Sequence, residues 1–340
     1  MTQILKSGTI PLYGAFVAAA TVLLILYAFY YTSKRKYENS TLMYITPAAI
    51  FLGFAGARLM YVTVCDQLYI EPADKWKLTD GGYALYGAAA GVILTVVIWW
   101  LITKRRFSPL KVFDAICISA PLAIALGRMG SIFSGDCLGE VVEAEGLRFF
   151  PVAIYKASDS SYHYAVFFYE AVFCLLIFFF IRYADKKANC PGTSTYLFTV
   201  LYSSGRSFFE GLREDSMYLG FVRINQAISI LAVLGAFAFL SVVLFKKTGF
   251  KWKYIISYGI VTVSFAAAFF AVFYMYSSSA AWNTVQIMIC CAVIAVTSSY
   301  TGLLYALEME KSKKAAKKAV RKKPLPDKTQ RFSSIKTGKK

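Results

Sequence analysis

The chain is poor in charge and in residues that bind metal ions. Only 16% of its 340 residues are charged, where soluble domains carry about a quarter. It has one histidine, and its seven cysteines show no metal-ligand spacing. We therefore expect no metal and no other cofactor. Only Cys65 and Cys137 lie in loops on the predicted outer side, and whether they form a disulfide stays open.

What the chain has instead is long apolar runs. Hydrophobic residues make up 58% of the sequence, and a membrane-spanning helix needs about 20 mostly apolar residues in a row. A soluble protein with one buried core is a poor alternative for this composition. We predict an all-α, polytopic membrane protein with nine transmembrane helices, at 10–31, 43–64, 83–102, 112–130, 164–181, 193–209, 224–245, 254–276 and 282–305.

The net charge of +18 comes from Lys and Arg residues that concentrate on one predicted side of the membrane, so it does not indicate nucleic-acid binding. Of 37 Lys and Arg residues, thirteen lie in 308–340 and fourteen in the loops after segments 1, 3, 5 and 7. The alternate loops carry six. Because cytoplasmic loops carry the excess of Lys and Arg, this pattern predicts an outside N-terminus and a cytoplasmic C-terminus. Lys34-Arg35-Lys36 follow the first segment, which favours an uncleaved span over a signal peptide.

The composition divides the chain into three parts. Residues 1–248 form a seven-span membrane domain, and 249–307 read as an appended two-span hairpin without charge in its spans. Residues 308–340 form a polybasic tail, which we expect to be disordered and to attract anionic membrane lipids.

Besides Asp114, near the inner end of the fourth segment, five ionisable residues fall inside or at the end of predicted spans, where such residues are costly and are usually paired or functional. They all lie in the predicted outer half: Arg58, Arg128, Glu170, Arg206 and Glu210. Arg206 and Glu210 are four apart and so share one helix face. One interpretation is a set of ion pairs, Arg206 with Glu210 and Glu170 with Arg58 or Arg128. The other, which we favour, is an anion site, because arginine suits phosphate.

Two glycine-bearing stretches, TDGGYALYGAAAG at 79–91 and GRMGSIFSGDCLGE at 127–140, complete a pattern that resembles the prolipoprotein diacylglyceryl transferase family. The second is similar to the family signature Gly-Arg-x-Gly-Asn-Phe-x-Asn-Gly-Glu-x-x-Gly. The resemblance covers about residues 10–245 and follows the family's order. Its other stretches are PLYGAF at 11–16, GARLMYV at 56–62, FFYEA at 167–171, GRSFFEGLRE at 205–214 and NQAISI at 225–230.

The resemblance implies a reaction at a bacterial cell membrane. Diacylglyceryl passes from phosphatidylglycerol to the thiol of a lipobox cysteine in a secreted prolipoprotein, and glycerol phosphate leaves. By motif match, Arg128 and Arg206 hold the phosphate, Glu210 orients Arg206, and Tyr13 and Tyr202 donate to the head group. The remaining implied substrate-binding residues are Arg58, Gly127, Ser131, Ser134, Asp136, Gly139, Glu170, Arg213 and Gln226.

The chain departs from the family pattern where the chemistry is most sensitive. Tyr86 replaces the family's His, Ser131 and Ser134 replace its two Asn, and Asp136 replaces its Glu. A tyrosine with an ordinary pKa near 10 can donate a hydrogen bond, but it is a poor base for a thiol. His163, at the end of the second long outer loop, is an alternative proton acceptor.

Three functions from different classes fit these observations. The first is the transferase, with Arg128, Arg206, Tyr86 and Glu210 as its catalytic residues. The second is a paralogue that is inactive, or has another acceptor, and binds lipid or lipoprotein at the outer face. The third is a small-anion transporter, which is disfavoured because no span shows the paired breaks of transporters.

Overall fold

The computed structural model describes residues 12–66 except 38, residue 75, residues 82–248 except 189, 220 and 221, short stretches between 255 and 267, and residues 280–322. The described chain is mainly helical. Its helices are α1 (Leu12–Lys34), α2 (Asn39–Val64), α3 (Leu85–Ile102), α4 (Pro109–Met129), α5 (Ser131–Ser134), α6 (Val166–Lys187), α7 (Thr193–Gly211), α8 (Ile224–Thr248) and α9 (Ala280–Lys322).

Seven helices in the described residues are long and apolar enough to span a membrane, so the chain is a polytopic helical membrane protein, as predicted. They correspond to α1, α2, α3, α4 with α5, α6, α8 and α9. Helix α7 falls on the expected segment 193–209 but is more polar, because it carries a row of buried Ser, Arg and Glu side chains. The expected segment 254–276 lies largely outside the described residues. The number of nine spans and their orientation stay predictions.

Helix α9 is longer than the sequence pattern indicated. It continues without a break past residue 308, where the disordered tail was expected to begin, and reaches Lys322. Ala, Lys and Glu dominate this stretch and are strong helix formers. Lys314 Nζ lies 3.6 Å from Glu310 Oε1, one turn away on the same face. Residues 323–340 lie outside the described residues.

Polar contacts join the helix ends on one side of the bundle. Tyr31 and Arg35, at the end of α1, both contact Asp185 at the end of α6, with Tyr31 donating at 2.9 Å. Asp114, in the second turn of α4, accepts from the backbone N–H groups of Gly192 and Thr195 at the start of α7. Because a helix start leaves N–H groups without partners, Asp114 caps α7 from a neighbouring helix. These contacts fix α1, α4, α6 and α7 relative to one another.

On the opposite side of the bundle, small β structures cover the helix ends. Strands β1 (Ala153–Lys156) and β2 (Ser161–Tyr164) form an antiparallel hairpin in which Ala153 pairs with Tyr164. Strands β3 (Tyr218–Leu219) and β4 (Val222–Arg223) pair just before α8. Two isolated bridges, Gly139 with Arg213 and Val141 with His163, join the segment after α5 to these neighbours.

Helices α2 and α3 pack through glycine. A Cβ atom on Gly91 would lie 2.1 Å from the carbonyl oxygen of Leu52, and one on Gly87 would lie 2.3 Å from the carbonyl oxygen of Gly56. Small residues allow helix backbones in membranes to approach closely. Gly87 and Gly91 of the 79–91 motif therefore serve helix packing.

We predict that Gly91→Ala destabilises the protein, because the added methyl group has to push α3 away from the α2 backbone. Overpacking of this kind costs about 1–3 kcal/mol. The measurement is the midpoint of thermal unfolding in detergent. The matched control is Gly235→Ala on α8, where nothing lies within 4 Å of the added Cβ, and its midpoint should be unchanged or slightly higher. Equal midpoints for the two variants would contradict the packing model.

Candidate functional site

Four segments deliver charged side chains to one point at the β-covered end of the bundle. Arg128 lies at the end of α4, Glu170 in the first turns of α6, and Arg206 and Glu210 in the last turns of α7. Arg213 follows directly after α7. Helices α4 and α7 end here and α6 begins here, so their charged side chains are close enough to contact one another.

The charges form one continuous chain of ion pairs. Glu170 Oε2 lies 3.0 Å from Arg128 Nε and 3.1 Å from Arg206 Nη1. Arg206 Nη2 lies 3.0 Å from Glu210 Oε2, and Arg213 Nη1 lies 3.9 Å from the same oxygen. Glu170 therefore pairs with Arg128 and Arg206, and not with Arg58. The Arg206–Glu210 pair belonged to the first of the two sequence interpretations, and the structure has it.

Burial explains why the carboxylates are needed. The side chains of Glu170 and Glu210 are 1% and 0% exposed, and that of Arg206 is 6% exposed. An isolated charge in such surroundings costs several kcal/mol, which a well-placed opposite charge offsets. Asn225 on α8 donates to Glu210 Oε1 at 2.9 Å, and Tyr202 donates to Glu170 Oε1 at 3.3 Å. Arg206 is thus enclosed between two buried carboxylates, each of which accepts a further hydrogen bond from a neutral side chain.

Arg128 differs from Arg206 because part of its guanidinium is open. Its side chain is 15% exposed, and its Nη1 donates to Cys137 Sγ at 2.9 Å. Among the described residues, Nη2 of Arg128 has no hydrogen-bond partner. The ring of Tyr13, at the start of α1, lies within electrostatic range of both Arg128 and Arg213. Arg128 can therefore accept a further anionic ligand without losing Glu170.

A short strap of two segments, residues 137–139 and 213–215, closes this side of the site. Gly139 and Arg213 pair as a β bridge, Glu214 N donates to Leu138 O at 3.2 Å, and Cys137 N donates to Asp215 Oδ2 at 3.0 Å. A Cβ on Gly139 would lie 2.9 Å from the carbonyl oxygen of Leu212, so the bridge requires glycine.

Arg213 and Asp215 form a bidentate pair within the strap, at 2.9 and 2.8 Å. Burial raises the pKa of Asp215, but the hydrogen bond and charge of Arg213 outweigh this effect and hold the pKa below its usual range. Asp215 therefore stays ionised and keeps Arg213 in place beside Glu210.

Tyr86 reaches the site through a hydrogen-bond relay. Its hydroxyl contacts Ser229 Oγ on α8, and Ser229 donates to the carbonyl oxygen of Asn225. Because the Ser229 proton is already used, Tyr86 donates to Ser229. Asn225 in turn donates to Glu210. Tyr86 is thus a hydrogen-bond donor, and its contacts lead to Glu210.

The other predicted site residues fall into two groups. Tyr202 and Gln226 lie within the site, and Gln226 donates to the carbonyl oxygen of Ser207 at 3.1 Å. Arg58 lies elsewhere: it is 3% exposed, and its guanidinium donates to the carbonyl oxygens of Lys75 and Gly82. Arg58 therefore links α2 to Lys75 and Gly82, which precede α3.

The signature residues between α4 and the strap shape the loop more than they contact the ion pairs. Ser131 is buried with its hydroxyl 3.9 Å from Cys137 Sγ, and Ser134 donates to the carbonyl oxygen of Ser131. Asp136 is exposed, and its N–H points to Ser134 Oγ. Gly127 faces Ala20 of α1 at an ordinary contact distance.

His163 is buried and does not contact the arginines. Its Nδ1 lies 2.8 Å from the carbonyl oxygen of Gly139, and its Nε2 lies 2.9 Å from Asp159 Oδ2 and 2.8 Å from Ser161 Oγ. Both ring nitrogens are therefore engaged, which leaves no free nitrogen to accept the substrate's proton.

Three site residues escaped the sequence interpretation: Cys137, Asp215 and Asn225. Cys137 was considered only as a disulfide partner of Cys65, and both cysteines are free. Its place within the GRMGSIFSGDCLG stretch, next to the signature glycines, was the available signal. Asp215 comes directly after the 205–214 stretch, and Asn225 is the first residue of the 225–230 stretch. Their partners could not be predicted, because they depend on the strap and on the contact between α7 and α8.

Comparison with known proteins agrees with this architecture. The family model of prolipoprotein diacylglyceryl transferase matches residues 1–242. A phosphatidylglycerol–prolipoprotein diacylglyceryl transferase from Clostridium botulinum (strain Hall) is 32% identical over 232 residues, which is 65% of this chain and 88% of that protein. The one from Thermotoga maritima is 31% identical over 252 residues, covering 70% of this chain and 85% of that protein.

The match ends close to the end of α8, so it includes every residue of the ion-pair chain and leaves α9 outside. The resemblance seen in the seven sequence stretches is confirmed. This chain belongs to the prolipoprotein diacylglyceryl transferase family.

Proposed function

We propose that this chain transfers diacylglyceryl from phosphatidylglycerol to the thiol of a lipobox cysteine in prolipoproteins. The thiol sulfur attacks the glycerol carbon, a carbon–sulfur bond forms, and the carbon–oxygen bond to the phosphate breaks. Glycerol phosphate leaves with a greater negative charge than the phosphodiester carried. A catalyst for this step has to stabilise that developing charge.

The observation that carries the proposal is the open guanidinium of Arg128 beside a fixed carboxylate. Glu170 holds Arg128 through Nε, while Nη2 has no partner among the described residues. A planar guanidinium donor suits a phosphate oxygen. Arg206 holds Glu170 from the other side, and Glu170 in turn holds Arg128. In this proposal Arg128 contacts the phosphate, and Arg206 positions Arg128 through Glu170. Tyr13 and Arg213 are the nearest candidates for further head-group contacts.

The thiol proton needs an acceptor, and neither of the two described residues considered for this role, Tyr86 and His163, is free to take it. Tyr86 donates a hydrogen bond to Ser229, and both nitrogens of His163 are engaged in hydrogen bonds. The leaving glycerol phosphate is a monoester with a second pKa near 6, so it can take up this proton itself. The substitution of Tyr86 for the family's histidine is then compatible with transfer.

We further propose that the site faces the outside of a bacterial cell membrane. The ion pairs lie at the end of the bundle that holds the start of α1, while Lys34, Arg35 and Lys186 lie at the other end. By the distribution of Lys and Arg, the second end is cytoplasmic. The Lys-rich end of α9 and the tail beyond it would then meet anionic lipids of the inner leaflet. The transferase unit comprises residues 1–248, with the later residues as an addition.

We predict that Arg128→Ala lowers transfer about 10²–10³-fold, because one donor to the developing charge is lost. The measurement is transfer of labelled diacylglycerol from phosphatidylglycerol to a lipobox peptide by purified protein. Arg182→Ala is the matched control, because Arg182 contacts the Tyr27 ring near the other end of α6, and it should keep wild-type transfer. Folded wild-type protein that binds phosphatidylglycerol without transferring it would contradict the proposal and support a binding paralogue.

We predict that Tyr86→Phe lowers transfer by about tenfold or less, because it removes one neutral hydrogen bond worth about 0.5–1.5 kcal/mol. Ser229→Ala should cause a similar loss, and the double variant should be no worse than either alone, since both break one contact. The measurement is the same transfer assay. A loss of several hundredfold in Tyr86→Phe alone would instead assign the tyrosine hydroxyl a direct part in the chemistry.

A further inference from the structure

His163 is a buried side chain whose ring contacts several separate segments of the chain. It is 1% exposed and is the only histidine in the chain. Its ring joins three segments that are distant in sequence. They are the hairpin turn through Asp159 and Ser161, the segment after α5 through Gly139, and the segment after α7 through Glu214, whose Oε2 lies 3.5 Å from Nδ1.

Every partner of the ring is a hydrogen-bond acceptor. The carbonyl oxygen of Gly139 can only accept, and so can the carboxylate of Asp159. Ser161 has a single hydroxyl proton, which it donates to Asp159 Oδ1 at 2.7 Å, so towards the ring it presents a lone pair. A neutral imidazole carries one N–H and one lone pair. With Nδ1–H donated to Gly139, a neutral ring would turn its Nε2 lone pair towards Asp159 Oδ2 at 2.9 Å, whereas the doubly protonated ring donates to both oxygens.

The charges around the ring favour this cation. Asp159 and Glu214 face it from the hairpin and from the segment after α7. Lys156 on β1 lies 3.5 Å from Asp159 Oδ2 and partly offsets that carboxylate. The hydrogen bond from Ser161, together with that from His163, lowers the pKa of Asp159 to about 2, so Asp159 is ionised at any working pH.

The ring contacts the strap that closes the candidate site. Gly139, whose carbonyl oxygen accepts from Nδ1, pairs with Arg213 in the β bridge. Glu214 lies next to Arg213 and donates its N–H to Leu138. If the ring loses a proton, one nitrogen turns a lone pair towards an acceptor oxygen less than 3 Å away, and the strap loses one of its anchors.

We propose that His163, as an imidazolium, is a positioning residue that clamps the strap and so holds Arg213 and the Cys137 loop in the geometry that binds the phosphate head group. The inference rests on the proposed function for its link to substrate. Lower pH strengthens the clamp, and deprotonation of the ring at higher pH releases it. The expected signature is a pH-dependent KM for phosphatidylglycerol with little change in kcat.

The single histidine makes a direct test possible. Full-length protein without a histidine tag is labelled with ¹⁵N-histidine, and both ring nitrogens are followed by NMR from pH 5 to 8.5 in detergent. We expect both nitrogens to be protonated at the acidic end, and the KM for phosphatidylglycerol to rise over the pH range in which the ring titrates. Asp159→Asn should raise the KM at pH 6, because a neutral amide replaces the carboxylate that faces Nε2.

Variants separate positioning from simple structure. His163→Gln should raise KM about tenfold at pH 6 and remove its pH dependence. Tyr155→Phe, on the exposed face of the same hairpin, should keep the wild-type profile. A ring that stays neutral throughout, or a His163→Gln profile identical to wild type, would overturn the clamp. Absence of transfer by wild-type protein would refute the proposed function instead, while the NMR measurement on the ring nitrogens would still decide the state of the ring.

Discussion

The arrangement of the site depends on Arg206 being held between Glu170 and Glu210. Three arginines near the membrane-embedded ends of helices would be costly without opposite charges. Glu170 reaches from α6 and Glu210 from α7, and each also contacts a second arginine. Removing one carboxylate would leave a buried, uncompensated cation, which costs more than removing the whole pair. The same contacts therefore determine both the packing of α4, α6 and α7 and the position of the reactive groups.

This charge balance gives the arginines different roles. The ion pairs of the described site join three guanidinium groups, of Arg128, Arg206 and Arg213, to three carboxylates, of Glu170, Glu210 and Asp215. A fourth guanidinium, of Arg223, donates to the backbone carbonyl oxygen of Glu210. Because the charges within the ion pairs balance, donor geometry has to contribute to phosphate recognition. Preorganised donors act most strongly where charge develops during the reaction, because they need no rearrangement. Arg128, which is fixed at Nε and has no partner at Nη2 among the described residues, meets this condition, whereas both terminal nitrogens of Arg206 are paired with carboxylates.

Hydropathy was sufficient to predict the seven apolar spans of the described residues, because a membrane span requires a long run of apolar residues. The Arg206–Glu210 pair was predictable too, since residues four apart share a helix face. The partner of Glu170 was not, because Arg58 and Arg128 have the same chemistry and only the packing of α4 on α6 decides between them. The strap and the contacts of His163 were also inaccessible, since they join loops through backbone carbonyls that any residue type provides. The continuous α9 was missed because a lysine-rich composition suggested a solvated tail, although alanine and glutamate among the lysines favour a helix.

The tyrosine in place of the family's histidine fits the same electrostatic constraint. A histidine that became charged at position 86 would add a positive charge to a cluster that is already balanced, next to a relay that ends at Glu210. Tyr86 keeps a donor at this point and stays neutral while it donates to Ser229. What the substitution removes is a side chain that could accept a proton, and the leaving phosphate monoester can replace that capacity as the carbon–oxygen bond breaks. The protein then has to supply position and charge stabilisation, and these are the properties that the Glu170–Arg206–Glu210 network provides.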